Sequence, residues 1–469
     1  MRRFTAFTIA CLPLLFVTAC GKSSSATDAG AGVPVSVAVD HRQPSTTLDS
    51  TFAGLSYEKR VLTLPLFSAS NAPLVALFRR LGPGVLRLGG NSVDETTWTP
   101  GGAGLVSGEI APADVDRLAA FLHAAGWQVI YAVNMGTSTP AVAAEEASYA
   151  RQALGDRLLG FEIGNEVDLY RGKYRPATYD YAAFRQEWES FATAIRTAVP
   201  DAVLTGPASA SHVSTYTVPF AQDEAARIRL LTQHYYVGNG QDPSSTIDKL
   251  LQPDPPLTAE LAVLAAAAHS AHLAGGYRMA EANSYYNGGS LGVSDAYGSA
   301  LWVIDFLFSL AEGGASGVNL HGGGDGPGYT PIANDTAGNI VAARPEYHGV
   351  LLFALAARGQ LVSATVTGPA INLSAYAVDR SDGSTAVVLV NKDRAQGLRV
   401  SVDVGRPLTS AQETMLTGPA LESTTGVQLG GAPVEADGGW SGAATSLSVS
   451  GTGTRIDLPP ISAVLVEAR

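Results

Sequence analysis

The stretch Phe161-Glu162-Ile163-Gly164-Asn165-Glu166 begins as an apolar, strand-like segment and ends in a carboxylic acid. A second stretch, Arg278-Met279-Ala280-Glu281-Ala282-Asn283, has the same character and contains Glu281. In a barrel of alternating strands and helices, residues at the carboxyl ends of the strands gather at one mouth. We therefore expect Glu166 and Glu281 to face each other there, an arrangement that glycosidic bond cleavage requires.

Strand-like and helix-like segments alternate around these two stretches. Eight short apolar runs cover residues 52–58, 85–90, 128–134, 158–166, 203–208, 230–236, 277–284 and 317–322. Helical patterns cover residues 112–125, 179–198, 258–273, 294–312 and 345–358. This alternation predicts an α/β fold, with a (β/α)8 TIM barrel at residues 51–355. The alternative, an open doubly wound sheet, more often carries a Gly-rich phosphate-binding turn after its first strand, which residues 54–58 do not provide.

The pattern changes after residue 355. Short runs rich in Val, Leu and Ala, punctuated by Gly, Ser, Thr and Pro, occupy residues 371–378, 385–391, 398–404, 455–458 and 463–467. They predict a C-terminal antiparallel β-sandwich domain at residues 356–469. The early run 34–39 precedes the first barrel strand, so we expect residues 34–50 to contribute an N-terminal strand to the sandwich.

The N-terminus has the features of a processing signal. Arg2 and Arg3 precede an apolar segment at 4–17, and Val17-Thr18-Ala19 leads to Cys20. This pattern predicts a signal peptide at residues 1–19. Cys20 resembles the lipidated cysteine of a bacterial lipobox, which predicts a lipid anchor on the extracytoplasmic side of a bacterial membrane, followed by a flexible linker at residues 20–33. The alternative is an ordinary cleaved signal that happens to end beside a cysteine.

Composition and charge exclude several function classes. Hydrophobic residues make up 46% of the 469 residues, which is typical of a globular chain. Lys and Arg number 30 against 42 Asp and Glu, a net charge of −12, so we expect no nucleic-acid partner. Residues 321–326 contain His and Asp but no second ligand cluster accompanies them, so we expect a flexible loop there, no metal and no cofactor. No pattern in the chain sets an oligomeric state.

The two glutamates have distinct expected roles. In retaining cleavage, one carboxyl attacks the anomeric carbon, while the other protonates the leaving oxygen and then activates water. We assign Glu281 as the nucleophile, which must be ionised, and Glu166 as the acid/base, which requires a raised pKa. The Asn165 amide is placed to hold a sugar hydroxyl. Tyr236, at the end of the sixth strand, is expected to donate to Glu281 or, alternatively, to cap the barrel core.

Further polar residues lie on the first, second and fourth strands or directly after them. Glu162 has even spacing from Glu166 and is expected to be a buried structural partner. Arg87 either positions one of the two catalytic candidates or forms a buried ion pair. Glu58, Asn91 and Asp94 lie at strand ends, where acidic and amide groups commonly bind sugar hydroxyls, and are candidate substrate-binding residues.

These motifs resemble those of clan A glycoside hydrolases, which carry Asn-Glu on strand four and Glu on strand seven. Residues 278–306 also resemble family 79, the heparanase and β-glucuronidase family, in having a Glu, a Tyr/Gly-rich loop and a Trp-bearing helix opened by Ser294-Asp295-Ala296-Tyr297. The resemblance covers nearly all of the chain after residue 33. It implies that Glu166 and Glu281 are catalytic and that a neighbouring subsite accepts glucuronic acid. It also implies that Tyr286, the Gly328 backbone and Tyr329 contact the sugar carboxylate.

The expected function is therefore that of a retaining, exo-acting β-glucuronidase. The charge of −12 favours small or plant-type glucuronides over heparan sulfate as substrates. Alternatives are another clan A glycosidase, such as an arabinofuranosidase, xylosidase or glucosidase, and an endo-acting, heparanase-like enzyme. A non-catalytic surface glycan-binding lipoprotein is a further alternative, although the presence of both Glu166 and Glu281 in matching contexts argues against it.

Overall fold

The computed structural model describes residues 32–42 and 44–469. The predicted signal peptide, the lipidation site at Cys20 and nearly all of the predicted linker lie outside these residues. Within the described ranges, no helix combines the length and the apolar character needed to cross a membrane.

Eight parallel strands close into a barrel, as predicted. Each strand pairs with the next along the chain, and the eighth closes the barrel against the first, with Val318 opposite Ala53. We refer to them as barrel strands one to eight. In that order they are Ala53–Glu58, Val85–Gly89, Gln128–Val133, Leu158–Ile163, Leu204–Ser209, Leu230–Asn239, Tyr277–Tyr286 and Val318–Gly322.

Helices surround the barrel and begin at recognisable caps. The side chains of Asn71, Thr139, Asp180 and Asp254 each accept a backbone N–H at the start of a helix, satisfying a donor that the helix itself cannot pair. The helices are Ala72–Leu81, Pro112–Ala125, Pro140–Leu154, Tyr181–Ala198, Val218–Asp223, Ile247–Leu250, Pro255–Ser270, Tyr297–Glu312 and Pro345–Ala356.

The C-terminal strands form one sheet that curls over itself into two layers. Gly359–Thr367 links the layers, because Leu361 pairs with Val378 in one and Val366 pairs with Val37 in the other. The N-terminal strand Val33–Asp40 joins this sheet, as predicted, and runs antiparallel to Gly359–Thr367 but parallel to Leu398–Asp403. The other strands of the sheet are Thr47–Leu48, Leu373–Asp379, Thr385–Asn391, Ala411–Thr417, Gln428–Leu429, Thr445–Leu447, Val449–Ser450, Gly453–Leu458 and Ser462–Ala468.

Two small sheets complete the described chain and lie in connections that follow barrel strands. Thr97–Trp98 pairs with Glu109–Ile110 after strand two, and Ile332–Asn334 pairs with Ile340–Ala343 after strand eight. Both therefore extend the mouth of the barrel rather than its base.

Two helices join the barrel to the curled sheet. In Tyr297–Glu312, the Tyr297 hydroxyl donates to the carbonyls of Leu416 and Ile461, at 3.1 and 2.8 Å. The rings of Phe308 and Tyr376 stack with centroids 4.3 Å apart. One apolar core runs from the barrel through this helix and Pro345–Ala356 into the sheet. The sheet thus supports the helices that follow barrel strands seven and eight.

Candidate active site

Glu166 projects from a tight turn after barrel strand four. The strand ends at Ile163, three residues before the predicted end, because Gly164 and Glu166 adopt left-handed backbone conformations, with φ of 81° and 51°. A Cβ at Gly164 would lie 2.6 Å from the Tyr170 hydroxyl oxygen, so only glycine fits. The Glu166 N–H donates to the Ala208 carbonyl at 2.8 Å, which fixes the turn against strand five. A left-handed non-glycine residue is uncommon and is a recurring feature of active sites.

Glu281 lies on strand seven with donors on both carboxylate oxygens. Its Oε2 accepts from Arg87 Nη1 at 2.7 Å, and its Oε1 accepts from the Tyr236 hydroxyl at 2.9 Å. Burial by itself raises the pKa of Glu281, but positive charge at His321, His234 and Arg87 and the bond from Tyr236 outweigh it and hold the pKa well below its usual range. The carboxylate is therefore ionised, as a nucleophile requires.

The two carboxyl groups meet, as predicted. One oxygen of Glu166, one oxygen of Glu281 and a ring nitrogen of His234 all lie within 4.8 Å of one another. This distance suits the ~5–5.5 Å separation of a retaining pair and is below the ~6.5–9.5 Å of an inverting pair. The same three groups have the donor types of a metal site. The absence of a metal requirement stays a prediction.

Arg87 is the central cation of the site and is fully buried. Besides Glu281, it donates to Glu162 Oε2 at 2.7 Å and to Asn165 Oδ1 at 2.9 Å. Both expectations for Arg87 are therefore met, since it forms a buried ion pair and holds Glu281 in position. Glu162 is the buried structural partner that its spacing predicts. With its oxygen held by Arg87, Asn165 keeps its amide nitrogen as the group that can donate to a sugar hydroxyl.

Glu58, which ends strand one, and Asn91, which follows strand two, both keep side-chain surface exposed to solvent. Glu58 has a side chain 22% exposed, accepts from the Ser92 N–H at 2.8 Å and has its other oxygen 3.9 Å from the His321 ring. Asn91 is exposed on the rim and accepts from Lys173 Nζ at 3.3 Å. Both are available to a substrate, and their binding roles stay predictions.

Asp94 is occupied within the protein. It is 1% exposed, and its oxygens accept from the backbone N–H groups of Met135 and Gly136 and, at 2.5 Å, from the Tyr170 hydroxyl. Burial raises the pKa of its carboxyl. Asp94 braces the connections after strands three and four, which corrects its assignment as a substrate-binding residue.

Three tyrosine rings gather beside Glu281. The ring centroid of Tyr236 lies 6.2 Å from that of Tyr286 and 6.1 Å from that of Tyr329. Burial, followed by the charges of Glu281, Glu58 and Glu166, raises the pKa of Tyr329. Burial and Glu281 do the same to Tyr236. Both hydroxyls therefore stay protonated and can donate hydrogen bonds.

The Gly328 N–H links two connections at the mouth of the barrel. It donates to the Gly288 carbonyl at 2.6 Å, which links the connections after strands seven and eight. The expected contact of the Gly328 backbone with the sugar carboxylate stays a prediction. Tyr286 ends strand seven and Tyr329 lies in the connection after strand eight, and their contacts with a sugar carboxylate stay predictions.

Comparison with known proteins finds similarity to carbohydrate-active enzymes. Over 261 residues, half of the chain, the sequence is 25% identical to a β-glucuronidase of Aspergillus niger, and over 279 residues it is 26% identical to a β-glucuronidase of Neurospora crassa. These alignments cover 48% and 49% of the two relatives, so the chain spans about half the length of the curated relatives it matches. No known protein-family profile matches the chain.

Solved structures share the whole architecture. A 4-O-α-L-rhamnosyl-β-D-glucuronidase from Fusarium oxysporum superposes with a TM-score of 0.77 at 17% identity, covering 93% of this chain and 99% of that one. A family 51 α-L-arabinofuranosidase from Bifidobacterium longum gives a TM-score of 0.71 at 16% identity, covering 94% and 100%. At these identities the likeness shows the fold, a TIM barrel with a C-terminal β-sandwich.

Two histidines of the site had no role assigned from the sequence. His234 Nδ1 lies 3.3 Å from Glu166 Oε1, and His321 Nδ1 lies 3.6 Å from Glu281 Oε2. The expectation of a flexible loop from residue 321 onward is wrong for His321 and Gly322, which belong to strand eight. Strand alternation was the available signal, since it places His234 on the same inward face as Tyr236.

Proposed function

We propose that the protein is a retaining, exo-acting β-glucuronidase, similar to family 79 enzymes, that releases glucuronic acid from β-glucuronides or glycan termini. The observation that carries this proposal is the Glu166–Glu281 pair, with oxygens within 4.8 Å and charged or hydroxyl donors on both oxygens of Glu281. The two curated relatives named β-glucuronidase support the choice of sugar.

The proposed reaction uses both carboxyl groups. Glu281 attacks the anomeric carbon, and the bond to the leaving oxygen breaks as Glu166 transfers its proton to that oxygen. This step leaves a glycosyl ester on Glu281. Glu166, now a carboxylate, takes a proton from water, and the resulting hydroxide attacks the same carbon and releases Glu281. Two inversions give net retention of configuration.

The tyrosines support recognition of a sugar carboxylate. Tyr286 ends strand seven and Tyr329 lies on the connection after strand eight, with ring centroids 6.2 and 6.1 Å from that of Tyr236. Hydroxyl groups can donate to a carboxylate without placing a full positive charge beside the ionised Glu281. We propose that the glucuronate carboxylate lies between these two hydroxyls.

Exo action has support from hydrogen bonds between connections at the mouth of the barrel. Gly240 N–H donates to the Tyr286 carbonyl at 2.9 Å, and Asn287 Nδ2 donates to Asn239 Oδ1 at 3.0 Å. Together with the contact between Gly328 and Gly288, these bonds join three successive connections into one wall beside Glu281. A wall on that side favours a pocket that holds one terminal sugar over an open groove.

Hydrolysis of p-nitrophenyl β-D-glucuronide beside the matching glucoside, xyloside and arabinofuranoside tests the proposal, with Glu281→Ala and Glu166→Ala as controls. We expect turnover of the glucuronide alone and its loss in Glu281→Ala. Turnover of a neutral sugar would keep the mechanism and discard the carboxylate recognition. Sugar binding without turnover of these substrates or of longer chains would favour a non-catalytic glycan-binding protein.

We also propose that the protein is lipid-anchored through Cys20 on the extracytoplasmic side of a bacterial membrane. The support is the sequence alone, with a charged start, an apolar segment and small residues before the cysteine. Metabolic labelling with a fatty acid tests it, since Cys20→Ser must lose the label. Retention of the label in that variant would contradict the proposal.

A further inference from the structure

The connection that carries Tyr329 is unusually rich in glycine. Residues 323–330 include glycines at positions 323, 324, 326 and 328. Glycine loses more conformational freedom on ordering than any other residue, so such a segment needs specific contacts to hold one conformation. Tyr329 can act as a fixed donor only if these contacts exist before the substrate arrives.

Arg344 supplies several of these contacts from outside the connection. It directly precedes the helix Pro345–Ala356, and its side chain is 16% exposed. Its Nη1 donates to the Pro327 carbonyl at 2.6 Å, while its Nη2 donates to the Asp325 carbonyl at 2.5 Å and to Asp325 Oδ1 at 2.9 Å. The Gly328 carbonyl lies 3.5 Å from Nη1. One planar guanidinium therefore spans the segment from Asp325 to Gly328.

A second attachment lies at the other end of the segment. Asn283 is fully buried two residues after Glu281 on strand seven, and its amide donates to the Tyr329 carbonyl at 2.8 Å and to the His321 carbonyl at 3.0 Å. Asn283 thus ties the Tyr329 peptide to the strand of the nucleophile. Arg344 fixes the turn that precedes Tyr329.

We propose that Arg344 is a positioning residue that preorganises residues 325–328 and so holds Tyr329 ready for the substrate. Its kinetic consequence rests on the proposed function. Without the guanidinium, substrate binding must also order the glycine-rich segment, which lowers affinity. The reacting groups Glu166 and Glu281 are held by other residues, so the chemical step changes little.

Hydrogen exchange of the ligand-free protein tests the structural half of the proposal. The Gly324 N–H is bonded to Asn334 Oδ1 at 2.8 Å and the Gly328 N–H to the Gly288 carbonyl, so both report on the segment. We expect Arg344→Ala to speed exchange in peptides covering residues 323–330. The matched control is Arg196→Ala, which removes a guanidinium bonded to the Arg227 carbonyl at 2.7 Å, away from the mouth. That variant must leave exchange in residues 323–330 unchanged.

Kinetics test the functional half. We expect Arg344→Ala to raise KM for p-nitrophenyl β-D-glucuronide about tenfold and to change kcat less than about threefold. The KM of Arg344→Lys must fall between those of the wild type and Arg344→Ala, because an ammonium keeps the charge but loses the planar fork. The proposal would be overturned if Arg344→Ala left both hydrogen exchange and KM unchanged. It would also be overturned if kcat and Tm fell together with no separate change in KM. If the wild-type protein turns over no glucuronide, the proposed function fails, and hydrogen exchange alone decides the role of Arg344.

Discussion

At the scale of single residues, surroundings make two glutamates chemically different. Glu281 is buried and accepts from Arg87 and Tyr236, which stabilises its charged form. Glu166 is more exposed, at 20% of its side chain, and has His234 as its nearby side-chain partner. When the two carboxyl groups of one site have unlike environments, one can act as a nucleophile and the other as an acid.

Removal of the proton donor must affect poor leaving groups most. In Glu166→Ala, hydrolysis of an alkyl glucuronide is expected to fall by about 10²–10⁴, because the departing oxygen then leaves without a proton. A 2,4-dinitrophenyl glucuronide needs little protonation, so formation of the glycosyl-enzyme from it must be much less impaired. Rates across a series of leaving groups check this, with azide added to rescue breakdown of the intermediate. Equal losses for all leaving groups would contradict the assignment.

Tyr236→Phe isolates one donor to the nucleophile. Hydrogen bonds to charged groups contribute about 1.5–3 kcal/mol, so we expect kcat to fall roughly 10- to 100-fold. Tyr235→Phe is the matched control, since the Tyr235 hydroxyl bonds Asp254 at 2.6 Å, away from Glu281. A steady-state comparison of the two variants measures the difference. Full kcat in Tyr236→Phe would show that this donor has no catalytic role.

Strand position made several of these residues predictable. Glu166, Glu281 and Tyr236 lie on barrel strands or directly after them, where alternation and strand order determine which side chains meet. Asp94 was misassigned because its partners come from other connections. Bonds such as Asp94 to Tyr170 or Gly328 to Gly288 join loops of irregular conformation, which no periodic pattern reports.

At the scale of elements, the eight barrel strands were predictable because they are buried and apolar. Two of the longer strands of the curled sheet were not predicted, Gly359–Thr367 and Ala411–Thr417. The first follows the helix Pro345–Ala356 almost directly and is largely exposed in its second half, and the second contains Gln and Glu. The helix predicted from residue 294 begins at Tyr297, because Ser294 Oγ accepts from the Ser290 N–H and belongs to the preceding turn.

The helix Pro255–Ser270 contains a carboxyl group whose ionisation opposes folding. Burial, followed by the charge of Asp254, raises the pKa of Glu260 from about 4.5 to about 7. The folded state therefore binds the proton more tightly than the unfolded state. Stability from this group is complete below pH 4.5 and is lost as pH rises through about 7.

Glu260→Gln must remove this pH dependence. We expect the variant to gain stability over the wild type at pH 8, on the order of 2 kcal/mol, and to gain little at pH 4.5. Urea unfolding at the two pH values measures it. Glu145→Gln, an exposed change on the helix Pro140–Leu154, is the control. A gain of equal size at both pH values would refute the explanation.

At the scale of the whole molecule, the barrel and the curled sheet share one apolar core. Phe308 of the helix Tyr297–Glu312 stacks on Tyr376 of the sheet, and Lys392 of the sheet pairs with Asp305 of the same helix. Since these contacts hold the helices behind strands seven and eight, the sheet also supports the site.

The two parts are therefore expected to unfold together. Trp440 lies against the sheet, bonded to the Leu429 carbonyl at 2.9 Å, while Trp127 and Trp188 are buried in the barrel. Subtracting the fluorescence of Trp440→Phe from that of the wild type isolates the signal of Trp440. This signal must follow the same urea transition as the signal of the barrel tryptophans. Phe308→Ala should shift both transitions together, by about 3–5 kcal/mol. Separate transitions for the two signals would show two independent folding units.

We expect Glu281 to form a covalent bond to glucuronic acid during the reaction. The most direct measurement is incubation with 2-deoxy-2-fluoro-β-D-glucuronyl fluoride, followed by peptide mass spectrometry. We predict a single fluoroglucuronyl addition on the peptide that contains Glu281, and none in Glu281→Gln. Labelling of a different residue, or no labelling of an enzyme that hydrolyses glucuronides, would contradict this account.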